Sequence, residues 1–562
     1  MLAAPCPRPL GVAVRRPSPA ALAQARRWRF RVYRHAVLTL RPPIDWLADP
    51  LHALRFRDTF PKLRFLDPLT WAYARRHDVG ALREALSILL DWARSNPLGG
   101  SRTAPAAWLD KVTGDRVPYI SYLTRAAACE GLLGRGEARL LLRSIAWHER
   151  VLVRAARADR TNHGLFASLG LALLSRYFPF LGEARRWAAE ARHQFLKTLR
   201  GRLGDGVWLE HSTAYQFLAI RAVERFVAYT GDPVAERLLR RMKRAAGWFV
   251  EPDGRPTQFG DSYLVPVPAW GKRIAARQRG LEALWHAGFA FVKAPGAGGY
   301  LAVASDFHNT THKQADELSF ALYDHGQRIV TDTGLYHKDP GAIRDFVLSA
   351  RAHSVLTVDG RSFPISDPAN AYGSGLVAVG EGDGWYAIEG RNPLLASQGV
   401  RHTRLFLYRP GVALVVVDRL RSAATHAYQR YFQLGPRIAV ERAGAGRLRL
   451  SAPGFRGWLY DAPQPAPAAV SEVRGSRHPL AGLTSPRFRV FRPRWTVELE
   501  SRGATSTRCA TISLDRRFPR ATAARAHGGG FTVVLRERGA GATRLAVERS
   551  GRTLRVTAGG AR

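Results

Sequence analysis

From about residue 45 to residue 290, apolar positions recur at the helical period. The segment 81–97 places Leu82, Leu86, Leu89, Leu90 and Ala93 on one face, and Pro97 and Gly99 stop it. Leu140, Leu141, Ile145 and Val151 repeat the pattern across 139–156. The run 164–177 is almost wholly apolar, which predicts a buried helix, and 211–229 and 233–249 continue the series. Eleven of the fourteen tryptophans precede residue 290, so many helices with short connections and bulky aromatic filler are expected. Stacked helical hairpins fit, as a solenoid or a closed α/α toroid. At KAPGAGGY (293–300) the texture changes to short alternating segments bounded by turns, about a dozen of them, beginning with YLAVASDF and LSFALYD. That many strands predicts two packed antiparallel sheets. The expected fold class is multidomain α + β: a partly ordered extension over 1–44, an α/α toroid over 45–290 and a β-sandwich over 291–562.

Composition changes this picture little, whereas charge adds to it. Hydrophobic residues are 46% and charged residues 23%, which excludes wholesale disorder. Three cysteines, Cys6, Cys129 and Cys509, are too few and too scattered for a disulfide framework, so stability is expected from packing alone. The 85 basic and 45 acidic residues leave a net charge of +40. A field of that sign favours polyanionic partners: nucleic acid, an anionic membrane surface or an acidic polysaccharide. Eight of the 85 basic residues are Lys, and GC-rich codon usage produces the same Arg excess. Arg is scattered and Trp falls at core-like positions, so the stacking face of a nucleic-acid binder is not expected. No apolar window reaches the length of a membrane helix, and no signal-peptide core follows the basic N-terminus; localisation stays unassigned.

Four polar constellations interrupt the apolar patterning. Asn162-His163 opens the buried helix, where Asn is a favoured N-cap. DGVWLEHSTAYQF supplies Glu210, His211, Ser212 and Tyr215; if Ser212 starts a helix, Tyr215 lies one turn inside it. Thr311-His312-Lys313-Gln314-Ala315-Asp316 leads into a strand. TDTGLYH (331–337) and SARAHSVLTVDG (349–360) follow, so His312, Asp332, Tyr336 and His353 are expected on neighbouring strands of one sheet face. Histidine and carboxylate from adjacent strands suit metal-ligand or acid/base chemistry.

In order and spacing, NHGLFASLG, DGVWLEHSTAYQ, THKQADELSFALYDHGQRIVTDTGLY and AHSVLTVDG resemble the heparinase II/III-like family of polysaccharide lyases. The resemblance implies an α/α toroid followed by an antiparallel β-sandwich, and β-elimination at a uronic acid: abstraction of the C5 proton, cleavage of the C4–O bond and an unsaturated product. It gives Asn162 the neutralisation of the uronate carboxylate, with His163 beside it as neutraliser or alternative base. Tyr215 becomes the acid toward the leaving oxygen or the base, and His312 a substrate contact and possible base. Glu210, His211, Lys313 and Tyr336 are expected to bind substrate. The partner implied is an acidic polysaccharide: a glycosaminoglycan, alginate or an exopolysaccharide. Family members are often periplasmic or secreted, and a structural zinc is often held by a His with a downstream Asp and His. Here Gln314 stands at the first of those positions, with Asp332 and His353 at the others. An amide oxygen is a poor zinc ligand, which favours a Gln314, Asp332, His353 hydrogen-bond cluster and no required cofactor. The rival reading is a non-catalytic acidic-polysaccharide-binding protein of the same fold.

Overall fold

The computed structural model describes residues 5–12, 16–33, 36–52, 54–158, 161–294, 298–463 and 468–560. It divides into two units, Met1–Arg202 with Ala219–Leu239, and Leu203–Leu218 with Arg240–Arg562. Helices dominate the first and antiparallel strands the second, as the patterning predicts.

In the helical unit, helix Val79–Ser95 buries Leu82, Leu86, Leu89, Leu90 and Ala93 as their spacing dictates, and the Asp78 side chain caps it by accepting from the Ala81 N–H. Its Trp92 helps hold a buried cation. The Arg116 guanidinium lies 4.0 Å from the Trp92 ring centroid and 5.1 Å from that of Trp108. Arg116 donates to His148 Nε2 and to the Pro61 carbonyl, both at 2.9 Å. His148 Nδ1–H in turn donates to the Ser144 carbonyl. Helix Asp110–Cys129 ends at a disulfide between Cys129 and Cys6, so the expectation of stability from packing alone is corrected. Sequence separation hid the contact: the pair is 123 residues apart along the chain and 5.4 Å apart between Cα atoms.

The boundary expected at 290 moves upstream. GLEALWHAGFAFVK continues the helical spacing, yet it forms strands Gly280–Leu284 and Phe289–Lys293, paired as a hairpin. Gly288, at φ +82°, makes this turn possible; a Cβ there would meet the Ser305 carbonyl oxygen at 2.4 Å. The hairpin joins Tyr300–Ala304, Ser319–Asp324 and Gln327–Val330 in a five-stranded antiparallel sheet. The Gly/Pro break itself lies partly outside the described residues, at 295–297.

Strands Arg401–Arg409 and Ala413–Arg421 sit inside a twelve-stranded sheet, paired Tyr408 to Leu414. Phe406, Tyr408, Leu414 and Val416 pack with Val292, Leu301, Val303, Phe320 and Leu322 of the five-stranded sheet and with Phe432, Val497 and Leu499 of a four-stranded one. The alternate residues Leu405, Leu407, Val415 and Val417 pack with Phe531, Val533, Leu535, Leu545, Val547 and Val556 of the C-terminal strands. A strand apolar at both parities must be covered on both faces. Those C-terminal strands belong to the same twelve-stranded sheet, which therefore folds over itself and covers its own central strands on the second face.

Candidate functional site

The site in the β-rich unit is built on the start of helix Thr213–Thr230 and three loops. Ser212 caps that helix, its Oγ accepting from the Tyr215 N–H at 3.4 Å, so Tyr215 stands one turn inside as expected. The Ser212 hydroxyl also donates to the Asp261 carbonyl oxygen at 3.0 Å, tying the helix start to the 259–262 loop. Gly260 permits this approach: at φ +57°, a Cβ there would lie 2.0 Å from the His211 carbonyl oxygen. The Tyr215 and His312 rings stack with centroids 3.7 Å apart. Lys338 Nζ donates to the Tyr215 hydroxyl at 2.7 Å and to His312 Nδ1 at 2.9 Å.

Beneath them Asp261 is a charge hub. Its carboxylate accepts from Gln314 at 2.8 Å and from Arg344 at 2.7 and 3.2 Å. It lies 3.2 Å from His312 Nδ1 and 3.6 Å from Lys338 Nζ. Burial alone would raise this carboxyl, but the His312 hydrogen bond and the Arg344 and Lys338 charges outweigh it and hold it well below the usual carboxylate range. His312 thus has two tautomeric settings. With Nδ1–H donating to Asp261, Nε2 carries a lone pair; with Nδ1 accepting from Lys338, the proton moves to Nε2, which lies 3.7 Å from the buried Glu210 carboxylate.

Several residues expected at the site do other work. Both ring nitrogens of His211 are engaged, Nδ1 at the Thr311 carbonyl and Nε2 accepting the His308 N–H, so this buried ring braces two loops. Lys313 is also corrected as a substrate contact. It is 3% exposed, and its ammonium is held by Asp316 at 2.5 Å and Glu317 at 3.1 Å. Glu210 is fully buried and faces His312. Tyr336 stacks on Phe491 with centroids 4.2 Å apart. His312, Asp332, Tyr336 and His353 do not share a sheet face; all four lie in the segments between strands.

The three-residue cluster is corrected as well. Asp332 and His353 pair at 3.0 Å, and His353 Nε2 sits 3.1 Å from the Val347 carbonyl, while Gln314 turns away to Asp261. With both His353 nitrogens facing oxygen acceptors, no imidazole lone pair is presented, so these residues as arranged do not fit zinc. Gln314 Oε1 is left buried without a hydrogen-bond partner, and it is an amide oxygen. Among the described residues, no group of three or more His, Cys, Asp and Glu could hold a metal ion.

In the helical unit, Thr161 and not Asn162 is the cap of helix Asn162–Tyr177. Its side chain accepts from the His163 N–H at 3.2 Å, leaving Asn162 as the first helical residue, 8% exposed. His163 Nδ1 lies 3.1 Å from Asp110 Oδ2, and this bond holds the Asp110 carboxyl below its usual range against the opposing effect of burial.

Sequence reasoning missed Asp261, Lys338 and Arg344. Two signals were present: Asp261 follows a glycine in the polar stretch TQFGDS, and Lys338 is one of eight lysines in a chain that otherwise uses Arg.

A family model described as "Heparinase II/III-like, C-terminal" matches residues 276–515. The chain is 22% identical over 370 residues to the heparin-sulfate lyase of Pedobacter heparinus, across 58% of this chain. It spans about half of that relative's length, 55%. A crystal structure of a heparan sulfate lyase mutant from the same organism superposes with a TM-score of 0.73 at 17% identity, covering 96% of this chain and 90% of the other. A crystal structure of heparinase III superposes with a TM-score of 0.77 at 13% identity, covering 99% and 93%.

Proposed function

We propose that this chain, which carries the heparinase II/III-like C-terminal domain, is a polysaccharide lyase that cleaves a uronate-containing acidic polysaccharide by β-elimination. One observation carries the reading: the stacked Tyr215 and His312 share an ammonium and stand over a buried carboxylate, so two proton-exchanging groups are held side by side. β-Elimination moves two protons, one leaving C5 and another reaching the departing C4 oxygen, and such a pair can divide them.

The C5 proton lies α to a carboxylate, and its removal develops charge on the carboxyl oxygens. Stabilising that charge is the larger energetic task. The resemblance gives it to Asn162, the residue that follows the Thr161 cap. Tyr215 and His312 are proposed to handle the protons. Asp261 supports the setting in which His312 Nε2 can accept one, since a carboxylate at Nδ1 stabilises the imidazolium that results. A net charge of +40 suits retention of a polyanion between turnovers.

The test is incubation of the full chain with heparan sulfate, heparin, chondroitin sulfate, hyaluronan, alginate and polyglucuronate, following the ultraviolet absorbance of the conjugated double bond that elimination creates. Absorbance growth with one or more of these supports the reading. Tight binding without absorbance growth on any of them overturns it in favour of a binding protein.

A further inference from the structure

We infer that Lys338 sets the ionisation of Tyr215, so that its phenol exchanges a proton at a pH well below that of an ordinary tyrosine. The first ground is geometric. Lys338 Nζ is 2.7 Å from the phenolic oxygen and 4.8 Å from the ring centroid. An ammonium has three donors and no acceptor, so the phenolic oxygen must accept in this bond. The phenol's own proton is not the one used in this bond. A donor carrying positive charge stabilises phenolate more than phenol.

The second ground is the set of charges around the pair. His312 lies face to face with the phenol and also accepts from Lys338, at 2.9 Å. Asp261 is 3.6 Å from the ammonium and would draw it away from the phenol, but the carboxylate is already met by the two-point Arg344 contact and by Gln314. Glu210 is reached through the far side of the His312 ring, 3.7 Å from Nε2. Among the described contacts, the ammonium is therefore hydrogen-bonded to the phenolic oxygen, while the Asp261 carboxylate beside it is compensated by Arg344 and Gln314.

Lys338 acts here as a positioning residue through Tyr215. Its consequence for catalysis rests on the lyase reading, whereas the ionisation itself does not. The full chain is labelled with 13C at tyrosine Cζ and titrated by NMR, the Tyr215 signal being identified by its loss in Tyr215→Phe. In wild type the signal is expected to titrate at least about one pH unit below the ordinary tyrosine value near 10. Lys338→Met and Lys338→Gln are each expected to raise that midpoint by about one unit or more, a tenfold change in ionisation, with the other tyrosine signals unmoved, and Lys338→Arg to keep it low. An unchanged midpoint in the neutral variants overturns the inference; so does a wild-type spectrum in which no tyrosine titrates below 10, which needs no variant to fold. With a cleaved polymer in hand, the pH–rate profile of Lys338→Met is expected to shift in the same direction. Absence of unsaturated product from every polymer would remove the lyase reading and leave the titration result standing. A normal phenol midpoint in an active lyase would remove the Lys338 inference alone.

Discussion

At the scale of single residues, the proposed chemistry turns on one hydroxyl. Tyr215→Phe removes a proton donor and acceptor and keeps the ring that stacks on His312, so turnover is expected to fall by about 10²-fold or more with the melting temperature unchanged. A variant retaining near wild-type turnover would make Tyr215 a packing residue. Asp261 is a different case, because it is buried beneath three basic side chains. Its folded-state pKa lies below the unfolded value, so its contribution to stability is complete above the unfolded pKa of about 4 and is lost as pH falls through the folded value. Asp261→Ala leaves Arg344 and Gln314 facing a void and is expected to lower stability by roughly 3–5 kcal/mol at pH 7, the range for breaking a buried ion pair. The difference from wild type in denaturant unfolding should shrink on acidification; a difference constant down to pH 2 would contradict the assignment.

At the scale of elements, the Asp332–His353 pair braces the segments after strand Gln327–Val330 and after the short helical turn Ala350–Ala352. Burial lowers the His353 pKa, but the Asp332 charge and hydrogen bond outweigh it and raise the pKa overall; the same partnership lowers Asp332. The raised His contributes stability in full below about pH 6.5 and loses it as pH rises through the folded value, while the depressed Asp contributes above about pH 4 and loses it on acidification. The pair is therefore expected to stabilise most between those limits. His353→Gln should lower the melting temperature more at pH 6 than at pH 9, and an equal effect at both would contradict an imidazolium there. Because His353 Nε2 faces the Val347 carbonyl, we expect less than one zinc per purified chain and no change in melting temperature with chelators; stoichiometric zinc by elemental analysis would show a different rotamer. Helices were legible wherever one face alternates in and out of the core, as in Val79–Ser95. The hairpin at Gly280–Lys293 was not, since apolar spacing over so short a run fits helix and strand alike and a close approach at Gly288 decided it. At the site, Tyr215 could be read from the cap that precedes it. Asp261 and Lys338 could not be placed there, because they come together only through loops whose course local patterning does not fix.

At the scale of the whole molecule, charge and chemistry are separable. Binding of the cleaved polymer is expected to weaken steeply with salt, since the screening length falls from about 10 Å at 0.1 M to about 3 Å at 1 M. An uncharged glucan should bind poorly throughout. Asn162→Ala removes a neutral amide and leaves the net charge of +40 unchanged, so it should keep salt-dependent binding and lose turnover. Equal losses of binding and turnover would place Asn162 in ground-state binding or in the fold. The most direct measurement of the central claim is the mass of the products formed in 18O-labelled water. β-Elimination adds no solvent atom to the broken bond, so the new non-reducing ends should be unsaturated uronates, lighter by one water than hydrolysis products and free of label, and Tyr215→Phe should suppress them. Saturated products carrying 18O at the cleaved bond would identify a hydrolase and contradict the account.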